Sequence, residues 1–178
     1  ISASPPVMLV SNHSGGTTIP DVWGLACAWY NRFGSQRPLH ILAHELLFAI
    51  PSVARWLERC GILRASTQNA RAVLARGRDL LVYPGGDIET WRTYAERYQV
   101  NFAGRTGYAK LALQKQVPII PVAHAGAHET FRVLTSGRWL AKAIGLHKLC
   151  RAEVFPIHLS LPWGLAFGPL PHLPLPTT

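Results

Sequence analysis

Asn12-His13-Ser14-Gly15-Gly16-Thr17-Thr18-Ile19-Pro20-Asp21 places an imidazole and a carboxylate on either side of a glycine pair, directly after the apolar run Val7-Met8-Leu9-Val10. An imidazole at the carboxyl end of a strand, with a carboxylate within folding reach, is the minimum equipment for taking a proton from a hydroxyl. The plainer reading makes His13 a turn residue and Asp21 the N-cap of the following helix. Residue types alone leave both open.

Two further loops carry polar chemistry. Pro84-Gly85-Gly86-Asp87-Ile88-Glu89 stops the apolar run Asp79 to Tyr83, and His124 to Glu129 follows the run Val117 to Val122. In open α/β sheets ligands settle beyond the carboxyl ends of strands, the edge to which all three loops are assigned. A hydrolase would want a G-x-S-x-G elbow, and the chain has none. The pairs His40 with His44 and His124 with His128 have a spacing that chelates metal from one helix face. Without an H-E-x-x-H they read as ordinary polar histidines, with His124 and His128 as candidate pocket residues, and no metal site is expected.

The elements that would position these groups alternate between strand-like and helix-like units, the pattern of an α/β fold. Strands are expected at Val7 to Val10, Leu39 to Leu42, Asp79 to Tyr83 and Val117 to Val122, with a brief one at Ile62-Leu63. Val22 to Phe33 is apolar at helical intervals and should pack a wide aromatic face on the sheet. Helical pieces are also expected at His44 to Ile50 and Ser52 to Cys60, broken at Pro51, at Thr67 to Arg76 behind the N-cap Ser66, and at Thr106 to Gln116. Residues 87 to 103 read as loop with some helix. Gly137 to Leu149 is amphipathic and basic, and packs on its own domain or lies in a bilayer interface. From Phe155 onward six prolines, Pro156, Pro162, Pro169, Pro171, Pro174 and Pro176, should prevent regular structure after one strand at Ile157 to Leu161.

With 178 residues, 48% of them apolar, the chain can bury one sizeable core, and a single domain over 1–178 is expected. It starts at Ile1 almost directly on a strand, which reads as an excerpt of a longer chain. The net charge of +9 suggests an anionic partner, a lipid surface or a phosphorylated molecule. Nucleic acid is not expected, since no dense basic arm or nucleic-acid-binding motif appears. Cys27, Cys60 and Cys150 lie far apart, with neither a disulfide framework nor a thiolate metal site indicated, which suits a reducing compartment. No apolar run reaches the roughly 18 residues of a spanning helix.

The order of these blocks resembles the glycerolipid acyltransferase superfamily, the PlsC-like enzymes. Asn12-His13 with Asp21 resembles its His-x-x-x-x-Asp block, and Gly61-Ile62-Leu63 its helix-ending glycine and hydrophobic step. Tyr83-Pro84-Gly85-Gly86 echoes Phe-Pro-Glu-Gly-Thr-Arg, and Val117-Pro118-Ile119-Ile120-Pro121-Val122 the apolar Val-Pro-x-x-Pro strand. The chain departs from the pattern where Thr18 stands five residues after His13, so that the acid must be Asp21 across three extra residues. Gly85 and Ile88 replace the third block's Glu and Arg, and Ser66-Thr67 stands where the second block has its arginine. Family arginines suit an acceptor phosphate; their loss, and the form Pro84-Gly85-Gly86-Asp87-Ile88-Glu89, resemble the diacylglycerol-acyltransferase-like branch, whose acceptors are neutral. Arg64 and Arg71 lie close enough in sequence to restore phosphate binding.

What the resemblance implies is an α/β fold with a single mixed, largely parallel sheet flanked by helices, and an O-acyltransferase of lipid metabolism. An acyl group would move from a thioester, acyl-CoA or acyl carrier protein, to a lipid hydroxyl. His13 would act as general base and Asp21 would fix its tautomer, with no further cofactor. Asn12, Ser14, Gly15, Gly16, Pro84, Gly85, Gly86 and Glu89 are the candidate substrate-binding residues. Backbone N–H groups of Ser14 to Gly16 or Gly85-Gly86 are candidates for the oxyanion, and Glu89 either orients the acceptor or caps a turn. The charge, the Trp139 segment and the apolar tail point to a membrane surface with anionic lipid, on the cytoplasmic face. The rival expectation is a non-catalytic lipid-binding or membrane-docking module on the same scaffold.

Overall fold

The computed structural model describes residue 4 and residues 6–173, so Pro174 and Pro176 lie outside the described residues. The chain folds as two compact units. The first holds the chain up to Ser11, Leu25–Pro84 and Gly104–Val122; the second holds Asn12–Gly24, Gly85–Ala103 and the chain from Ala123 onward.

The first unit is built on a parallel sheet of β1 (Met8–Ser11), β2 (Leu39–Ala43), β3 (Ile62–Arg64), β4 (Asp79–Val82) and β5 (Ile119–Val122), in the order β3-β2-β4-β1-β5. The expected α/β architecture, a largely parallel sheet flanked by helices, is present, but in place of a single mixed sheet these five strands are all parallel and the antiparallel strands form a separate three-stranded sheet. β1 and β4 are buried along their whole length, as their unbroken apolar runs require of central parallel strands. Each such Leu or Val contributes about 1.5–3 kcal/mol on burial. The register Leu9↔Leu81 and Val10↔Val82 aligns the strand ends that precede Asn12 and Pro84, and Ser11↔Val122 does the same for β5. The chain therefore leaves the first unit at the carboxyl ends of three adjacent strands.

Asp79 ties this unit together. Its buried carboxylate accepts the Val7 N–H at 2.9 Å and the Arg37 Nε–H at 2.6 Å. Arg37 in turn lies over the Trp29 and Phe33 rings of α1 (Pro20–Phe33). Trp29 is buried, but Trp23 and Tyr30 are exposed, so the aromatic face of this helix is narrower than its periodicity suggests. α2 (Pro51–Arg59) starts on the proline, which needs no N–H partner in a first turn. Ahead of it the expected helix His44 to Ile50 tightens to a 3-10 turn at Glu45–Phe48. α3 (Thr67–Ala75) is capped by the Ser66 hydroxyl, which accepts the Asn69 N–H at 3.1 Å.

The second unit contains α4 (Gly86–Thr90) and an antiparallel sheet of β6 (Arg132–Thr135), β7 (Ile157–Ser160) and β8 (Gly164–Phe167). Its core is Ile88, Trp91, Phe131, Val133 and Val154. β8 corrects the expectation of an irregular tail: the prolines at 162 and 169 flank the strand, so none removes a ladder hydrogen bond. The basic segment 137–149 also divides, into α6 (Arg138–Ala143) and α7 (Leu146–Cys150), at Gly145 with φ +71°. α5 (Gly107–Lys115) completes the helices, in the first unit.

Candidate functional site

His13, Asp21 and Glu89 all fall within the second unit. His13 follows β1 after one residue and Asp21 stands in the first turn of α1. Their side chains meet, with His13 Nδ1 2.7 Å from Asp21 Oδ2. A carboxylate only accepts, so Nδ1 carries the hydrogen, and in the neutral ring Nε2 keeps its lone pair. The His13 side chain is 15% exposed and that of Asp21 is fully enclosed. Asp21 Oδ2 also accepts the Ser14 N–H at 2.8 Å, and Oδ1 accepts the Val22 N–H at 2.9 Å. The plain N-cap reading of Asp21 is thus replaced by a carboxylate that binds imidazole and loop together.

The detour between them has a definite form. Gly15 and Gly16 have φ of +93° and +60°, a 3-10 turn covers Gly16–Thr18, and Ile19 follows at φ +42°. A β-branched residue in the left-handed region is strained, and strain of this kind costs about 1–3 kcal/mol. Glycine is required at 15 on a second count, since a Cβ there would stand 2.3 Å from the Pro20 ring.

Glu89 is completely buried, and both of its oxygens are engaged by the chain itself. Oε2 accepts the His13 N–H at 2.9 Å and Oε1 the Asn101 N–H at 3.0 Å. Its position explains Gly85, where a Cβ would fall 2.3 Å from Glu89 Oε2 and 2.7 Å from the Asn101 carbonyl. Burial pushes the Glu89 carboxyl above its ordinary range, against the pull of the Asn101 and His13 N–H donors and the Arg92 charge.

Arg92 was not anticipated from the sequence; the available signal was an acid and a base three residues apart behind a glycine pair. Its guanidinium is buried and donates to four carbonyls: His13 at 2.6 Å and Glu89 at 2.8 Å from Nη1, Arg97 at 2.7 Å from Nη2, and Glu96 at 3.0 Å from Nε. Its own carbonyl accepts the Nε2–H of His128 at 2.7 Å. His128 is therefore a buried neutral imidazole and not a pocket residue; burial, then the Arg92 charge, lower its pKa to about 4.

Of the other candidates, Asn12 uses its carboxamide on residue 124, donating to the His124 carbonyl at 2.9 Å and accepting the His124 N–H at 2.7 Å. Ser14, Gly15, Gly16 and Gly85 are buried, and only His13, Pro84 and Gly86 are half-buried. The Ser14 N–H is committed to Asp21, which removes it as an oxyanion donor. Pro84 lies in the first unit, where its carbonyl accepts from Arg105 at 3.0 Å. An open depression of about 440 Å³ is lined by Pro20, Asp21, His124, Gly126, Glu129 and Thr130. The arrangement equips one imidazole, its Nδ1 held by Asp21, to take a proton from a ligand at Nε2.

A family model described as acyltransferase matches residues 1–125. An uncharacterized protein of Mycobacterium tuberculosis is 29% identical over 169 residues, covering 90% of this chain and 47% of the relative. The "DGAT1/2-independent enzyme synthesizing storage lipids" of Gallus gallus is 25% identical over 153 residues, 86% of this chain and 44% of that enzyme. Its Homo sapiens counterpart is 28% identical over 141 residues, covering 78% and 42%. The chain thus spans less than half the length of these relatives. No solved structure matches.

Proposed function

The chain belongs to the acyltransferase family, and on that premise we propose that it moves a fatty acyl group from a thioester donor, acyl-CoA or acyl carrier protein, to the hydroxyl of a neutral lipid alcohol. The observation that carries the reading is the 2.7 Å contact between His13 Nδ1 and Asp21 Oδ2, which leaves Nε2 as the basic nitrogen. The acceptor O–H gives its proton to Nε2 as its oxygen attacks the thioester carbon. Asp21 holds the tautomer and stabilises the imidazolium that forms. The collapsing tetrahedral intermediate expels the thiolate, which recovers the proton from His13. Base catalysis of this kind is worth about 10²–10⁴ in rate. With the Ser14 N–H engaged, the N–H groups of Gly15 and Gly16 are the proposed oxyanion donors.

A neutral acceptor is supported by the positions of the arginines. Arg64 is held by Glu45 at 3.2 Å and Glu58 at 3.4 Å, and Arg71 donates to Gln114 at 3.0 Å. Arg92 is consumed by backbone carbonyls. The relatives named for storage-lipid synthesis point the same way. No cofactor beyond the acyl carrier enters this chemistry.

The proposed place of work is an anionic membrane surface on the cytoplasmic side. No helix among the described residues is long and apolar enough to cross a membrane. Leu46, Leu47, Ile50, Val53 and Trp56 are nonetheless exposed in one stretch of the first unit, beside the solvent-facing Arg55 and Arg59. Apolar side chains with arginines beside them suit a bilayer interface. The three cysteines are free thiols, which suits a reducing compartment.

The test is an acceptor screen with labelled acyl-CoA, spanning lysophospholipids, monoacylglycerols, diacylglycerols and long-chain alcohols. Preferred transfer to the neutral alcohols is expected. Preference for a phosphate-bearing acceptor would overturn the neutral-acceptor reading, and binding of lipid without transfer would favour a non-catalytic module.

A further inference from the structure

The two peptide groups flanking the His13 Cα are both pinned by buried charges. On its amino side the His13 N–H donates to Glu89 Oε2 at 2.9 Å. On its carboxyl side the peptide shared with Ser14 is held twice, its carbonyl by Arg92 Nη1 at 2.6 Å and its N–H by Asp21 Oδ2 at 2.8 Å. Peptide planes are rigid, so φ and ψ are the only soft backbone torsions of a residue. Fixing both planes fixes both torsions and hence the direction of the Cα–Cβ bond. The contact from Nδ1 to Asp21 then fixes the ring.

We propose that Glu89 and Arg92 are positioning residues for His13, a pair of opposite charges that sets the pose of an imidazole whose ring neither one holds. The inference rests on His13 being the base, and it extends that reading to two residues outside the imidazole–carboxylate pair.

The construction around the two charges supports this role. Glu89 is braced on its other oxygen by the Asn101 N–H at 3.0 Å, and Gly85 has no Cβ to push it away. Arg92 is braced by the carbonyls of Glu96 and Arg97, and its own carbonyl is held by His128. A guanidinium presents its donors in a fixed planar fork, and a lysine ammonium cannot reach four carbonyls in that geometry. Burying two charges is costly unless each is satisfied. Here their satisfied contacts converge on one residue, His13, from both sides.

The test uses the full-length protein, acyl-CoA and diacylglycerol, with the variants E89Q, R92K, R92A and His13→Ala. E89Q keeps the size and removes the charge; R92K keeps the charge and removes the fork. A displacement of the order of 1 Å costs about a hundredfold in rate. Both variants are therefore expected to lose about tenfold to a hundredfold in kcat, with KM for acyl-CoA within about twofold of the native value. Added guanidinium ion should restore part of the R92A rate and none of the His13→Ala rate. A readout independent of turnover is the NMR titration of the His13 ring, assigned by its loss in His13→Ala, whose midpoint should move in E89Q and R92K.

Native kcat and an unmoved midpoint in both variants would overturn the proposal. So would a rate loss that merely follows the folded fraction while the midpoint stays put. If E89Q fails to fold, E89D, which keeps the charge but draws the carboxylate back by one methylene, carries the same expectation for kcat and midpoint. A His13→Ala variant with native rate removes the base and this inference together; an inactive His13→Ala beside native E89Q and R92K removes this inference alone.

Discussion

Asp21 Oδ2 stands 2.7 Å from His13 Nδ1 and takes the Ser14 N–H at 2.8 Å, so a single carboxylate oxygen orients the ring and holds the backbone that carries it. Asp21→Asn presents an amide in place of that acceptor and favours the wrong imidazole tautomer. By analogy with triads in which the acid is replaced, kcat should fall by about 10³–10⁴ while the fold persists. Steady-state kinetics with the variant checks this; a loss confined to KM would contradict it.

Gly85 is irreplaceable for a steric reason. A methyl group there meets Glu89 Cβ at 2.4 Å and the Asn101 carbonyl at 2.7 Å, and neither is the free end of a flexible chain. Gly85→Ala should therefore destabilise the protein by at least about 2 kcal/mol, in the range of overpacked sites. Chemical denaturation measures it, and a midpoint equal to that of the native chain would refute the packing argument.

Stability should fall on mild acidification. His128 has a folded-state pKa of about 4 against an ordinary 6.5, because burial and the Arg92 charge oppose its protonation. Between these values the unfolded chain binds a proton that the folded chain refuses. The stabilisation is thus complete above about pH 6.5 and is lost as pH falls toward 4. At most it amounts to about 3 kcal/mol. His158 and His172, lowered first by burial, act in the same direction around Phe131, which stacks on His172 at 4.4 Å. Melting curves from about pH 7 to about pH 4.5 should show a steeper loss for the native chain than for His128→Gln. Parallel curves would show that His128 does not carry the effect.

Asp79 is the corresponding support in the first unit. Its removal strands the Val7 N–H and the Arg37 guanidinium, both of which it now satisfies. Asp79→Ala should cost about 3–5 kcal/mol, as breaking a buried pair does. A loss under about 1 kcal/mol by urea denaturation would show that water replaces the carboxylate there.

The parallel sheet was legible because strands such as Leu80-Leu81-Val82 are apolar without interruption and end at glycine or proline. β8 was hidden, since prolines on both sides of Gly164–Phe167 read as a continuous block to regular structure when they only bound it. At the site, the chemistry of His13 and Asp21 is carried by residue type, and their approach depends on a local turn that the glycine pair announces. The partners of Glu89 were illegible because they are backbone groups of residues 13 and 101, and any residue but proline offers an N–H. Arg92 was hidden likewise, all four of its acceptors being carbonyls.

The most direct measurement is the rate of labelled acyl transfer from acyl-CoA to diacylglycerol by the native protein and by His13→Ala. Transfer by the native protein is expected, with a loss of at least about a hundredfold in the variant. Equal rates in the two proteins would contradict this expectation.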